Sequence, residues 1–310
     1  MCERGPAAEG RNLMEKRPFG KTGVELPILS LGCQRLVDEE GCSQDQAVAI
    51  LERALQRGVW YFDTAPAYSE GESERRVGLV AARRRMDMWI ATKVNETTRD
   101  GARRQLEASL GRLQTDHVEE VRLHNLSSFD RLDAMTGKDG ALQALIEARD
   151  EGLVRFISIS GHADPQVLVE AIRRFPFDTA LCAVSVLDHF IYSFAEEFLP
   201  FALQKRMGIV GMKVLGYKSL AVDWQRALRY SMGLPVTTVI TGCSTIQQLD
   251  GNIDVAESFV PMTSVERLAF FRDILPMVTP QNMPWKSKEW ARKEWIKREE
   301  PFGLTHTGCS

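Results

Sequence analysis

Four side chains able to hold or move a proton, Asp63, Tyr68, Lys93 and His124, each stand at or just past the end of a short apolar run. The runs are Val59-Trp60-Tyr61-Phe62 before Asp63, Met88 to Thr92 before Lys93, and Val118 to Leu123 before His124. Runs of this length and composition read as buried strands. Tyr68 follows Asp63 within the next loop. Taken singly, each residue has an ordinary structural reading, as a turn former, an exposed ring or a buried base. Together they make a proton-delivery set. A phenol titrating near 10 is a poor acid at neutral pH, and a neighbouring ammonium favours the phenolate and lowers that value. Asp63 would hold Lys93 in place, while His124 would donate a hydrogen bond to a substrate oxygen.

The elements that must position these groups repeat along the chain. Apolar strands begin near residues 28, 59, 88, 118, 154, 179, 209 and 236, spaced by roughly 25 to 36 residues, the length of a strand-helix unit. Ala47, Ile50, Leu51, Ala54 and Leu55 form an amphipathic helical stripe. Similar patterns cover Gln105 to Leu113, Ala141 to Arg149, Val167 to Arg173, Glu197 to Lys205 and Ile246 to Ser258. Ser73-Glu74 reads as a helix start, with Ser73 as N-cap and Glu74 in the first turn. Alternating strands and helices imply parallel pairing, and eight units close a (β/α)8 barrel, whose strand ends collect catalytic groups. Glu120 and Arg122 share strand parity with His124 and would point inward, where a charge must be paired. They pair with each other, or Arg122 serves an anionic group on a substrate. A doubly wound dinucleotide fold is the competitor; it would carry GxGxxG after the first strand, and the chain has none. P-loop, HExxH and GxSxG motifs are also missing.

At the ends, residues 1–13 read as a small, polar, disordered extension, and Arg17 to Leu26 as a β-hairpin capping the bottom of the barrel. The barrel spans 14–275, including one extra helix from Ser264 to Ile274. A tail, 276–310, packs on the barrel's side or near the substrate rim and carries Trp285, Trp290 and Trp295.

Several local motifs resemble those of the aldo-keto reductase family, over about residues 14 to 262. They are DTAPAY from Asp63 to Tyr68, Thr92-Lys93, Leu123 to Asn125, GLVRFISISGH from Gly152 to His162, GMKVLG from Gly211 to Gly216, and ITGCSTIQQLDGN from Ile240 to Asn252. The opening from Arg17 is similar too, and the SGH and GMK signatures resemble one branch of the family. The resemblance implies a (β/α)8 barrel and hydride transfer between NADP(H) or NAD(H) and a carbonyl or alcohol. It implies Tyr68 as general acid, Lys93 as the group lowering its pKa, Asp63 as partner of Lys93, and His124 as the residue orienting the carbonyl. The implied cofactor contacts are Ser160, Gly161, His162, Met212, Lys213, Leu215, Gly242, Ser244, Gln248 and Asn252. Three usual nicotinamide contacts depart from the pattern. Gly161 stands where the family commonly has Asn, Leu181 where it has Gln, and Met212 where a Tyr stacks. His162 and Lys213 are candidate replacements. Members preferring NADPH commonly carry Lys-Ser or Lys-Thr after the eighth strand and an Arg soon after. Here Gly242, Cys243 and Gln248 fill the matching positions, which implies a weaker NADPH preference, with NADH accepted and Lys218 or Arg226 as other sources of a cation.

Composition narrows the rest. The 310 residues, 44% hydrophobic, suit one large core, and a net charge of −3 gives no case for nucleic acid or an anionic membrane. The six cysteines show neither CxxC nor zinc spacing, so no metal is expected and the thiols read as reduced. The first residues lack the apolar run of a signal peptide and no window is long enough to span a bilayer, so the chain reads as cytoplasmic. The expected partner is a small carbonyl or alcohol, and nothing in the sequence sets the oligomeric state. Two other functions fit some of these residues: a Schiff-base lyase through Lys93 or Lys213, and a cofactor-binding regulatory subunit with little turnover.

Overall fold

A computed structural model describes residues 14–286. The expected N-terminal extension, 1–13, and Trp290 and Trp295 lie outside these residues. The hairpin forms from β1 (Lys16–Pro18) and β2 (Glu25–Pro27), paired antiparallel. Its turn sends Phe19 into the barrel's bottom, where the ring meets Tyr61 and Trp89 edge-on at 6.0 and 5.8 Å. Gly208 makes room for that ring, since a Cβ there would come within 2.4 Å of it. Leu26, Leu181 and Val210 complete this apolar plug.

Eight parallel strands follow among the described residues. They are β3 (Leu29–Gly32), β4 (Tyr61–Asp63), β5 (Trp89–Val94), β6 (Val118–Leu123), β7 (Val154–Gly161), β8 (Thr179–Ala183), β9 (Gly208–Met212) and β10 (Thr238–Thr241). β10 pairs with both β9 and β3, closing the barrel. Each strand starts within two residues of its expected position, because a strand covered by side chains inside and helices outside must be apolar on both faces. Several helices start from local caps. Gln44–Gln56 begins with a capping box between Ser43 and Gln46, and Pro165–Arg174 begins with Asp164 as cap and proline at the first position. Ser264–Ile274 forms as expected and packs its Phe270 and Phe271 against Tyr230 of Trp224–Met232. Among the described residues no helix is long and apolar enough to cross a membrane.

Two local expectations fail. Ser73 is not a cap: helix Glu72–Arg84 begins after Gly71, at φ 84°. Ser69 and Glu70 also hold positive φ, and this left-handed turn starts the helix early. Ser73 is then buried and donates to the Cys33 carbonyl at 2.9 Å, while the buried Glu74 accepts from Thr92 and Arg112. The expected helix from Glu197 to Lys205 is divided into Phe194–Glu197 and Leu199–Gln204. The break falls at Phe198, just before Pro200, whose ring disfavours continuation through the preceding turn.

Candidate active site

The ends of β4, β5 and β6 place Asp63, Lys93 and the start of the His124 loop side by side. Lys93 is buried, and its ammonium has three hydrogens. Each finds an acceptor: Asp63 Oδ1 at 2.7 Å, the Thr64 carbonyl at 2.7 Å and the Tyr68 hydroxyl at 3.0 Å. Since the Tyr68 oxygen accepts from Lys93, its own hydrogen is free to face another acceptor. His124 sits beside that phenol, ring edge to ring face, with centroids 6.2 Å apart. Arg131 grips the loop behind it, donating to the carbonyls of Asn95, His124 and Asn125.

Glu120 and Arg122 do point inward. Arg122 is fully buried, donates to Glu120 at 2.7 Å, and also bonds Tyr61 and the second oxygen of Asp63. Its partners are therefore inside the barrel, and it is closed to a substrate anion.

Burial dominates the electrostatics of the site. Burial, reinforced by Asp63, pushes the Tyr68 phenol well above its ordinary 10, although Arg122 opposes the shift. Lys93 does not reverse this, because Asp63 matches its charge at 2.7 Å and the phenol faces an ion pair, not a lone cation. Burial likewise lowers Lys93, with Asp63 opposing. Tyr68 is thus held as a protonated donor. His124 is pushed well below 6.5 by burial and then by Lys93, so its imidazole is neutral, and its buried Nδ1 has no partner among the described residues. His162 falls to about 4 through burial and Lys213.

These two histidines set a stability test. Each binds a proton more readily unfolded than folded, so their contribution is intact above about pH 6.5 and is lost as pH falls toward the folded values. Urea midpoints at pH 7 and pH 5 should therefore differ less in His162→Asn than in the native protein. Equal losses in both would show that His162 is not held neutral.

A cavity of about 520 Å³ opens from Asp63 and Tyr68, a size suited to a cofactor. Of the expected cofactor contacts, Met212, Lys213, Leu215, Gly242, Gln248 and Asn252 border it. Ser160, Gly161, His162 and Ser244 do not. Ser160 accepts from the Asn125 amide at 3.0 Å. Gly161 packs so closely that a Cβ would meet Leu168 at 3.0 Å, which disfavours the family's asparagine here. His162 Nδ1 is instead turned to the Trp285 carbonyl at 3.1 Å. Ser244 lends its amide to Gln248, fixing that side chain.

The sequence reading missed Arg35, Tyr217 and Trp224, which also line the cavity. Arg35 lies just past the end of β3, so the strand-end rule that found Asp63 applied to it too. Its stem packs over Gly242, where a Cβ would come within 3.1 Å, and its guanidinium donates to the Tyr217 carbonyl. The ammonium of Lys213 sits 3.9 Å from the centre of the Tyr217 ring. Lys218 borders the cavity, whereas Arg226 does not and is paired with Asp223 and Asp273. The rings of Tyr217 and Trp224, the open wall at Gly242 and the cations Arg35, Lys213 and Lys218 suit a flat ring system bearing phosphates. The buried Oδ1 of Asn125, beside His124, is a further polar atom without a partner among the described residues.

Comparison with known proteins agrees with this arrangement. The model of the Aldo/keto reductase family matches residues 29–227. An uncharacterized oxidoreductase of Bacillus subtilis, YqkF, is 26% identical, with 79% of this chain and 92% of the relative covered. L-galactose dehydrogenase of Arabidopsis thaliana is 25% identical over 88% of this chain and 98% of its own. A crystal structure of an aldo-keto reductase from Klebsiella pneumoniae in complex with NADPH superposes with a TM-score of 0.68, covering 85% of this chain and 95% of that one. At 20% identity that likeness speaks for the fold alone. With the family's model spanning most of the barrel and the described cavity at the strand ends, this chain belongs to the aldo/keto reductase family and is an NAD(P)H-dependent oxidoreductase.

Proposed function

We propose that this chain interconverts a small carbonyl compound and its alcohol, with Tyr68 giving or taking the proton at oxygen. The observation that carries this reading is the saturation of the Lys93 ammonium, which leaves the Tyr68 hydrogen directed away from Lys93 at the inner end of the cavity. Met212, Lys213, Leu215, Gly242, Gln248 and Asn252 would hold the dinucleotide, which when bound supplies or accepts the hydride. The chain's own part is proton placement. Neutral His124 offers a hydrogen bond to the substrate oxygen, and Tyr68 donates its proton as charge develops there. Lys93 then donates to the phenolate oxygen, so the charge left on Tyr68 is stabilised without rearrangement. Alcohol oxidation runs the same proton back onto Tyr68. Lys93 is a poor Schiff-base nucleophile in this arrangement, because it is buried, fully hydrogen-bonded and away from the cavity wall.

A panel of aldehydes, ketones and alcohols, followed by nicotinamide absorbance with both cofactors, tests the proposal. Turnover of at least one carbonyl or alcohol is expected. Tight cofactor binding with no turnover on any member would favour a regulatory role.

Cofactor choice follows from the cation count. Gln248 and the Cys243 position offer no charge, so the 2′-phosphate would depend on Arg35 or Lys218. Both already face Glu40, at 3.7 and 3.4 Å. One charge-assisted hydrogen bond contributes about 1.5–3 kcal/mol, roughly ten- to a hundredfold in affinity. We expect NADP⁺ and NAD⁺ to bind within about a hundredfold of each other, and Arg35→Ala to narrow that gap. Dissociation constants at one ionic strength measure both. A larger preference that Arg35→Ala leaves untouched would refute the assignment of Arg35.

A further inference from the structure

Beneath the proton-delivery set lies a second layer of charge. Asp63 uses its two oxygens on different cations: Oδ1 on Lys93 and Oδ2 on Arg122. Arg122 in turn reaches Glu120 and the Tyr61 hydroxyl, and Tyr61 donates back to Glu120 at 2.9 Å. Thr179, from β8, donates to Glu120 at 2.5 Å and bonds Ser158 at 2.7 Å. Lys93, Asp63, Arg122 and Glu120 therefore form a buried row of alternating charge, with no net charge, joining β4, β5 and β6.

A buried ion pair is weak evidence of stabilisation, since desolvating two charges offsets most of their attraction. This row does more than pair charges, because its end is the hydrogen bond to Tyr68. Were Lys93 its only partner, Asp63 would direct its whole charge at that ammonium and the adjoining phenol. Arg122 draws part of that charge toward the barrel's interior, and Glu120 limits how much. We propose that Arg122 and Glu120 are positioning residues that act through Asp63 to set the readiness with which Tyr68 releases its proton.

The charged and titratable groups around Tyr68 are Asp63 on β4, Lys93 on β5, Arg122 on β6, His124 after β6, Cys33 after β3 and Tyr217 after β9. Cys33 is a buried neutral thiol and His124 a neutral ring, while Tyr217 lies at the surface. Arg35, Lys213 and Lys218 line the same cavity and are unchanged in every variant below, while the two deeper members of the row have opposite signs. Removing the anion, in Glu120→Gln, leaves Arg122 wholly to Asp63 and should ease proton release. Removing the cation as well, in E120Q/R122Q, returns the Asp63 charge to Lys93 and should hinder it. Paired amides at 120 and 122 can hydrogen-bond each other, so the double variant leaves no lone buried charge.

The proposal rests on Tyr68 as the acid, and its experiment separates the two ideas. Alcohol oxidation is followed from pH 6 to pH 11 in the native protein, E120Q, E120Q/R122Q, R122K and Tyr68→Phe. The limb marking Tyr68 deprotonation should move down in E120Q. In E120Q/R122Q it should lie above its E120Q position by about one pH unit or more, the effect of one nearby cation. R122K keeps a cation on Asp63 and should stay nearer the native limb than E120Q/R122Q does. A limb at one pH in every protein overturns the proposal, even where rates fall, and so does an E120Q limb that stays with the native one beyond pH 11. If Tyr68→Phe keeps its turnover, the acid assignment fails instead. Should E120Q/R122Q not fold, the sign of the E120Q shift decides alone: downward supports the charge row, and no shift or an upward one refutes it.

Discussion

Tyr68→Phe should lower kcat/KM for carbonyl reduction by about 10²-fold or more, the range that a positioned general acid contributes. The ring would still fill its place beside His124, and Lys93 would keep its bonds to Asp63 and Thr64. What disappears is the hydroxyl that Lys93 orients toward the cavity. Cofactor dissociation constants should change little, because none of the proposed phosphate contacts depends on this oxygen. Single-turnover kinetics on a confirmed substrate, with hydride transfer rate-limiting in both proteins, make the comparison. Near-native turnover would assign the acid to another group.

Lys93→Met should have the other large effect, and on two observables at once. The phenolate left after proton transfer loses its hydrogen bond, so the rate falls and the apparent pKa of the acid rises further above its already raised position. Folding should weaken as well. Breaking a buried ion pair typically costs about 3–5 kcal/mol. The cost here should fall toward the low end, because Asp63 keeps Arg122 on its second oxygen. Thr64 loses a donor to its carbonyl at the same time. A pH–rate profile together with urea unfolding tests both effects. A profile of unchanged shape would detach Lys93 from the acid, and a covalent substrate adduct trapped on Lys93 would revive the Schiff-base reading.

Of the three cofactor positions that depart from the family pattern, Leu181 is buried in the apolar plug with Phe19, and the other two and their candidate replacements differ in where they lie. Met212, at the end of β9, and Lys213 just after it border the cavity, where a ligand can feel them. Gly161 and His162 are explained by packing: one lies against Leu168, and the other is turned to a carbonyl of the chain's own C-terminal segment. That segment is anchored by Trp285, whose indole donates to the buried Asp188 at 3.0 Å, and by Lys286 on the same carboxylate at 2.6 Å. Trp285 also leans on Tyr217, with ring centroids 5.5 Å apart, so it supports the cavity wall from outside. The expectation that a tail tryptophan lies near the rim therefore concerns Trp285, and the remainder of the tail falls outside the described residues.

The sequence by itself determined the barrel and which residues stand at its strand ends. Strand length, apolar runs and the spacing of strand-helix units are local properties, and parity along a strand decides which side chains face in. That is why the eight strands, the hairpin plug and the neighbourhood of Asp63, Lys93 and His124 were legible. Ser73 was misread because the cap was decided by backbone reversal at Ser69 and Glu70, residues with no strong turn signature of their own. Tertiary structure alone decided the charges. Arg122 meets Asp63 across 59 positions of chain, and Arg35 meets Tyr217 across 182. The protonation of Tyr68 depends on how far burial and Asp63 outweigh the nearby cations. That balance sums over neighbours from three strands and on the loss of water around them, neither of which any stretch of sequence contains.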